Sequence, residues 1–214
     1  AGALIICQTM VEEILREGDQ IIGVRCGRED GELYAPIVIL CEGVNPQLAI
    51  SLGMQKKLKP NQVASIVKEV ISLPEQVIND RFGLERNEGA ARLFAGEVTR
   101  GLFGGGFLYT NRESISLGIV IGIGGLAGHA PPPDVPALLD AFKERPEIAP
   151  LIRGGATVEY AAHAIPEGGY RALGKLYGNG ILVAGDAAGL ALNMGVTVRG
   201  MEYALASGCL AARA

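Results

Sequence analysis

Apolar and polar positions along this 214-residue chain fall mostly into short strand-like runs broken by turns, with a few stretches of helical spacing. Residues 1–7 are almost continuously apolar and predict an interior strand. Further strands are predicted over 20–26 and 33–41, joined by a Gly/Asp-rich turn at 27–31. The run 36–41 is almost continuously apolar and β-branched, the pattern of a strand buried on both faces. It ends in Glu42-Gly43-Val44-Asn45-Pro46, a turn leading to a short helix over 47–52.

From Val63 the pattern changes. Strands at 63–73, 92–98, 107–111 and 115–123 are separated by turns rather than long helices. In the first, both alternating sets mix apolar and polar residues, Lys68 on one and Glu69 on the other, which predicts an antiparallel sheet. One helix is expected over 75–82, behind Pro74. A second is expected over 134–144, where Leu138, Leu139 and Phe142 have helical spacing and Asp134 can cap the first turn. A strand at 157–165 follows, then a short apolar strand at 181–184 and a long helical stretch. Two pieces of an α/β layer thus flank a mainly antiparallel sheet. The fold class read from this order is α/β, in part α+β. Residues 1–60 and 166–214 form pieces of a cofactor domain, and 61–165 form an inserted substrate-side domain.

With 49% hydrophobic residues the chain can bury a sizeable core. Its net charge of −4, without a Lys/Arg run and without Trp, argues against nucleic-acid binding. Cys7, Cys26, Cys41 and Cys209 are far apart and read as free thiols of a reducing compartment, so a cytoplasmic location is expected. With His129 and His163 as its only histidines and no close cysteine pair, the sequence offers no metal site. The apolar start lacks the basic n-region of a signal peptide. The apolar centre of the longest uncharged stretch, 115–127, has 13 residues with four glycines, against the ~20 apolar residues of a membrane span. It reads as a buried strand.

The segment that carries chemistry is 178–189, Gly-Asn-Gly-Ile-Leu-Val-Ala-Gly-Asp-Ala-Ala-Gly. A short apolar strand runs into Gly185-Asp186, and the small neighbours Ala187, Ala188 and Gly189 let a ligand approach the backbone. Asp186, at the carboxyl end of the strand, is suited to accept hydrogen bonds from a hydroxyl chain. Gly195 is expected to open a helix whose amide end favours negative charge. The combination resembles the flavin-proximal motif of FAD-dependent oxidoreductases. The one match to the dinucleotide fingerprint, Gly122-Ile-Gly124-Gly125-Leu-Ala127, is rejected. Pro131 to Pro133 stand where the phosphate-binding helix should be running, and no strand ending in an acidic residue follows at ribose-binding distance. Its glycines read as a strand end crowded against another backbone. The true fingerprint is expected upstream of Ala1, and 214 residues alone are expected to hold FAD poorly.

Residues 181–207, with Gly-Asp-Ala-Ala-Gly, Leu-Asn-Met-Gly and Val-Arg-Gly-Met-Glu, resemble the FixC-like flavoproteins. These are relatives of the electron-transfer-flavoprotein:quinone oxidoreductases and geranylgeranyl reductases. Segments 37–45, 84–90, 105–111 and 159–170 extend the likeness in order along nearly the whole chain. The resemblance implies an incomplete FAD-binding Rossmann-type domain of the p-hydroxybenzoate-hydroxylase/glutathione-reductase type, with the family's first and last segments missing. It also implies FAD as cofactor and electron-transfer flavoprotein subunits, quinone and a ferredoxin-like FixX-type protein as partners, with electron supply to nitrogen fixation as the setting. Peripheral contact with the inner face of the cytoplasmic membrane is a further implication.

By the same resemblance Gly185, Asp186 and Ala187 meet the ribityl chain, Gly195 and Val196 the flavin pyrimidine edge, and Glu42 and Gly43 the adenosine side. Asn193 is a ligand contact or a turn residue, and Glu42 reads equally as part of a plain turn before the helix. Gly168 and Gly169 resemble the family's double-glycine loop on the substrate side, with an ordinary turn as the alternative. His163 reads as a core or interface histidine rather than a proton donor. Arg199 and Glu202 read as a local pair. No catalytic acid, base or nucleophile is assigned, because outer-sphere electron transfer needs none. The alternatives are a geranylgeranyl-reductase-like enzyme, with an apolar tunnel along 103–109, and a non-catalytic fragment without FAD.

Overall fold

The computed structural model describes residues 2–195 and 197–214; Val196, expected at the flavin edge, lies outside the described residues. The chain divides into two compact units. One comprises residues up to Lys57, Gly169–Leu192 and Arg199–Ala214; the other comprises Leu58–Gly168 and Asn193–Val198.

In the first unit β1 (Val11–Glu17), β2 (Gln20–Cys26) and β3 (Glu32–Tyr34) form an antiparallel meander. The strand expected over 1–7 does not form: residues 2–8 are exposed, Leu4 at 85%, and no described strand pairs with them. An apolar run becomes a strand only where a neighbour takes up its amides. The real first strand, Val-Glu-Glu-Ile-Leu-Arg-Glu, is more polar and went unread. The run 33–41 is also corrected. Pro36, which has no amide to give, splits it into β3 and β4 (Val38–Leu40), and these join different sheets. β4 is not buried on both faces, since Ile39 is 42% exposed. The helix α1 (Gln47–Ser51) follows as expected.

The second unit is a five-stranded antiparallel sheet. Its strands are β5 (Val63–Ser72), β6 (Ala91–Phe94), β7 (Gly104–Thr110), β8 (Ser114–Gly122) and β9 (Ala156–Pro166), in the order β6-β7-β8-β5-β9. One face carries the core of this unit, where Val67, Ile71, Leu108, Ile115, Leu117, Ile119 and Ile121 pack with Leu138, Leu139 and Phe142. Four helices belong here: α2 (Glu75–Phe82), α3 (Ile123–Ala127), α4 (Val135–Lys143) and α5 (Ala149–Ile152). Asp134 caps α4 by accepting from the Ala137 amide at 3.3 Å. Glu69, buried in β5, accepts from Lys143 Nζ at 3.0 and 3.2 Å and from Thr157 Oγ1 at 2.9 Å, tying α4 and β9 to the sheet.

The helix α3 corrects the reading of 122–128. A helical turn does start within two residues of Gly125, and it is over at Ala127, short of the prolines at 131–133. The crowding expected of its glycines is there: a Cβ on Gly124 would stand 3.0 Å from the Asn61 Cα.

The chain then returns to the first unit with β10 (Tyr177–Gly178) and β11 (Ile181–Val183), which order as β10-β11-β4. A small core of Ile14, Ile21, Leu40, Ala49, Met54, Ile181, Val183, Ala187 and Ala188 lies here. After β12 (Leu192–Asn193) and β13 (Val198–Arg199), α6 (Met201–Ala211) follows.

Candidate functional site

β11 runs parallel to β4 with Val183 opposite Leu40, and the Ala184 amide donates to the Leu40 carbonyl at 3.0 Å. The chain therefore leaves both strands at the same end of the sheet. From β4 comes Glu42-Gly43, and from β11 comes Gly185-Asp186-Ala187. In open α/β sheets the crevice beyond the carboxyl ends of parallel strands is where ligands bind.

Gly185 (φ +63°) starts a 3₁₀ turn, Gly185–Ala188, and Gly189 (φ +76°) ends it. At Gly189 only glycine fits, because a Cβ there would stand 2.4 Å from the Ala172 carbonyl oxygen. Three partners outside the turn hold it. The Gly185 amide donates to Ser207 Oγ of α6 at 3.0 Å. The Gly174 amide donates to the Ala188 carbonyl at 3.1 Å. Buried Gln55 donates from Nε2 to the carbonyls of Ala172 and Ala187 at 3.2 and 3.3 Å. Nothing in the sequence marked Gln55, since a lone glutamine beside Met54 carries no spacing signal.

Asp186 is half-buried, and a Cβ added to Gly200 would lie 3.8 Å from its Oδ1. Gly200 is the N-cap of α6, an eleven-residue helix, so the carboxylate sits beside the positive end of a helix dipole. The anion-favouring helix terminus exists, then, but Gly195 does not open it. Gly195 has φ +87°, and Asn193 Oδ1 accepts its amide at 2.8 Å; the Met194 amide donates to the Thr197 carbonyl at 2.9 Å. A left-handed residue inside a side-chain-closed turn cannot start an α-helix, which waits for the run of good helix formers after Gly200. Asn193 serves this turn. Both residues group with the second unit, apart from Gly185 and Asp186.

The Glu42 carboxylate accepts the amides of Leu48 and Ala49 at 2.8 and 3.0 Å, capping α1. It is committed to the turn and the helix, and Gly43 (φ +76°) gives the turn its shape. Gly169 (φ +54°) lies in the 3₁₀ turn Gly169–Ala172. Together with Tyr170, Leu173, Leu190, Ala191 and Tyr203 it lines an open, largely apolar groove of about 160 Å³. A complete small-molecule pocket is ~300–1,000 Å³, so the groove can take only part of a ligand. Gly168 lies at the chain junction between the units. Burial holds the Glu167 carboxyl above its ordinary value. His163 is exposed on β9 rather than in a core. Arg199 and Glu202 do pair. Phe103 is 54% exposed and Phe107 stacks on Tyr109 at 5.9 Å, so the 103–109 stretch lies along β7 and lines no part of this groove. Among the described residues no His/Cys/Asp/Glu cluster could hold a metal, and no helix is long and apolar enough to cross a membrane.

No family model matches the chain. Protein FixC of Escherichia coli K12 is 50% identical over 214 residues, all of this chain and 49% of its own length. The chain is FixC-like along its whole length. The probable electron transfer flavoprotein-quinone oxidoreductase YdiS of the same organism is 50% identical over 212 residues, 99% of this chain and 48% of its own. The chain thus spans about half the length of the relatives it matches. Among solved structures, a geranylgeranyl bacteriochlorophyll reductase-like protein of Thermoplasma acidophilum superposes with a TM-score of 0.72 at 16% identity, covering 96% of this chain and 47% of that one. The fold is therefore that of the glutathione-reductase-type FAD-binding proteins, mixed α/β with antiparallel sheets.

Proposed function

We propose that this FixC-like chain is the flavin-side portion of an FAD-dependent electron-transfer oxidoreductase. The observation that carries the proposal is the parallel β4/β11 pair, which delivers Glu42-Gly43 and Gly185-Asp186 to one sheet end beside the N-cap of α6. Residues 1–60 and 166–214 would supply the cofactor side and 61–165 the substrate side. Asp186 would accept hydrogen bonds from the ribityl hydroxyls, with Gly185 and Ala187 giving them close backbone approach. Gly43 would pass the adenosine side, with Glu42 holding the turn. Gly195 and Val196 are assigned to the flavin's pyrimidine edge, with Asn193 holding the Gly195 turn, and Gly168-Gly169 to its substrate side. Bound FAD would supply electron transfer in one- or two-electron steps, and the α6 terminus would favour the negative charge gained on reduction. The chain's own groups would position the cofactor; none moves a proton.

The name of the YdiS relative supports electron-transfer flavoprotein as electron donor and quinone as acceptor. A FixX-type ferredoxin as the other acceptor, and peripheral contact with the inner face of the cytoplasmic membrane, belong to the same proposal. A second reading, reduction of isoprenoid double bonds, is favoured by the apolar groove and by the Thermoplasma likeness.

The test is a titration of this chain with FAD, read by flavin fluorescence. Saturable, weak binding is expected, because the only fingerprint match has Asn61 packed where the phosphates would approach Gly124. Asp186→Ala should weaken it 10- to 100-fold, through loss of a charge-assisted hydrogen bond of ~1.5–3 kcal/mol. Unchanged affinity in Asp186→Ala would overturn the site. Stoichiometric FAD carried through gel filtration would overturn the weak-binding reading.

A further inference from the structure

The strand β9 is the outer edge of the five-stranded sheet: it pairs with β5, and no described strand takes its other side. At eleven residues it is the longest described strand, and from Ala156 to Tyr160 every residue is exposed, Val158 at 64% and Tyr160 at 52%. Edge strands are ordinarily blunted by lysine, proline or a bulge. β9 has no lysine, and its one proline is its last residue. Its one irregularity falls at Val158, between Thr157 and Glu159, leaving 159–166 in regular register. A long edge of this kind is a template for another strand.

We infer that the occupant is β9 of a second copy of this chain, antiparallel about a two-fold axis at Ala161. The strand's own residues single out this register. Ala161 is the midpoint of Ala156–Pro166, and a two-fold there sets the regular stretch 159–163 of each copy against the same stretch of the other. Residues then pair as 160 with 162 and 159 with 163. Glu159 of each copy faces His163 of the other, twice by symmetry, on either side of an Ala161–Ala161 contact, while each exposed Tyr160 lies opposite the small Ala162 of the other copy. Shifting the axis by one residue either way breaks both Glu159–His163 contacts. Lys68 of β5, 3.5 Å from Glu159 Oε1, and Ile66 opposite His163 complete the surroundings of the pair. The interface is isologous, the same strand on both sides, as a two-fold contact requires.

The experiment is sedimentation equilibrium on this 214-residue chain with two opposite charge changes. The wild-type chain should sediment as a dimer. Glu159→Lys sets cation against His163, and His163→Glu sets carboxylate against carboxylate, so each alone should raise the dissociation constant by roughly tenfold or more. Mixed in equal amounts, the two variants should re-associate as a heterodimer. At one contact the introduced lysine then faces the introduced glutamate, and at the other the native His163 faces the native Glu159. Recovery on mixing also shows that neither variant has merely unfolded. A monomeric wild-type chain, or a dimer indifferent to both changes, or no recovery on mixing, would overturn the inference.

Discussion

Gly189 limits variation at the candidate site more tightly than Asp186 does. Its φ is +76° and a Cβ would stand 2.4 Å from the Ala172 carbonyl oxygen, so both conformation and space exclude a side chain. Gly189→Ala should therefore cost about 1–3 kcal/mol of stability, measurable as a lower urea midpoint with FAD absent. Glu167 behaves in the opposite sense. Burial raises its pKa in the folded state, so the ionised carboxylate opposes folding above that pKa, and the opposition fades as pH falls to the ordinary value of 4.5. Glu167→Gln should raise Tm at pH 7 and make no difference near pH 4. Asp186 and Gly185 stand out in the sequence because a glycine followed by an acid after an apolar strand is a local pattern. Gln55 was not, because its role comes from carbonyls 117 and 132 residues away.

Elements read best where their ends carry local chemistry. The helix α2 follows Pro74 and stops at left-handed Gly83, and α4 has its Asp134 cap; both were found within a residue or so. They failed where neighbours decide. Residues 1–7 looked like a strand but have no partner strand among the described residues, 33–41 like one strand although Pro36 divides it, and Gly195 like a helix start although Asn193 closes a turn on it. The hold of α4 on its sheet is testable at Lys143. Burial draws its pKa down, but hydrogen bonds and charge from Asp140 and Glu69 outweigh this, leaving it above the ordinary 10.5. A lysine with a raised folded pKa contributes stability that is complete below 10.5 and is lost as pH climbs through the folded value. Lys143→Met should cost about 1–3 kcal/mol at pH 7, because Glu69 stays buried with only Thr157 as partner. The deficit relative to wild type should shrink above pH 10.5, as followed by chemical denaturation.

At the level of the whole molecule, cofactor binding and stability are linked. If FAD binds the folded chain, a concentration 100 times its Kd adds about 2.7 kcal/mol; Asp186→Ala, with its affinity weakened 10- to 100-fold, should keep only about 0.4–1.4 kcal/mol of this at the same concentration, and its rise in Tm should be correspondingly smaller. The change of pattern near Val63 falls close to Leu58, where the second unit begins, while nothing in the sequence marks the return of 193–198 to that unit, because a six-residue visit leaves no periodic trace. That division also sets a timetable. The sheet of the second unit is built almost wholly from the unbroken stretch 58–168, whereas Leu40 must wait for Val183, and Gly185 for Ser207. On a chain emerging from the ribosome the five-stranded sheet can close first, while the end of the β4/β11 pair stays open until residues 201–211 are made. Pulse-labelled hydrogen exchange during refolding should therefore protect the β5 and β8 amides before those of β4 and β11. Among the elements described, the sheet end at β4 and β11 would then be the last to come into being.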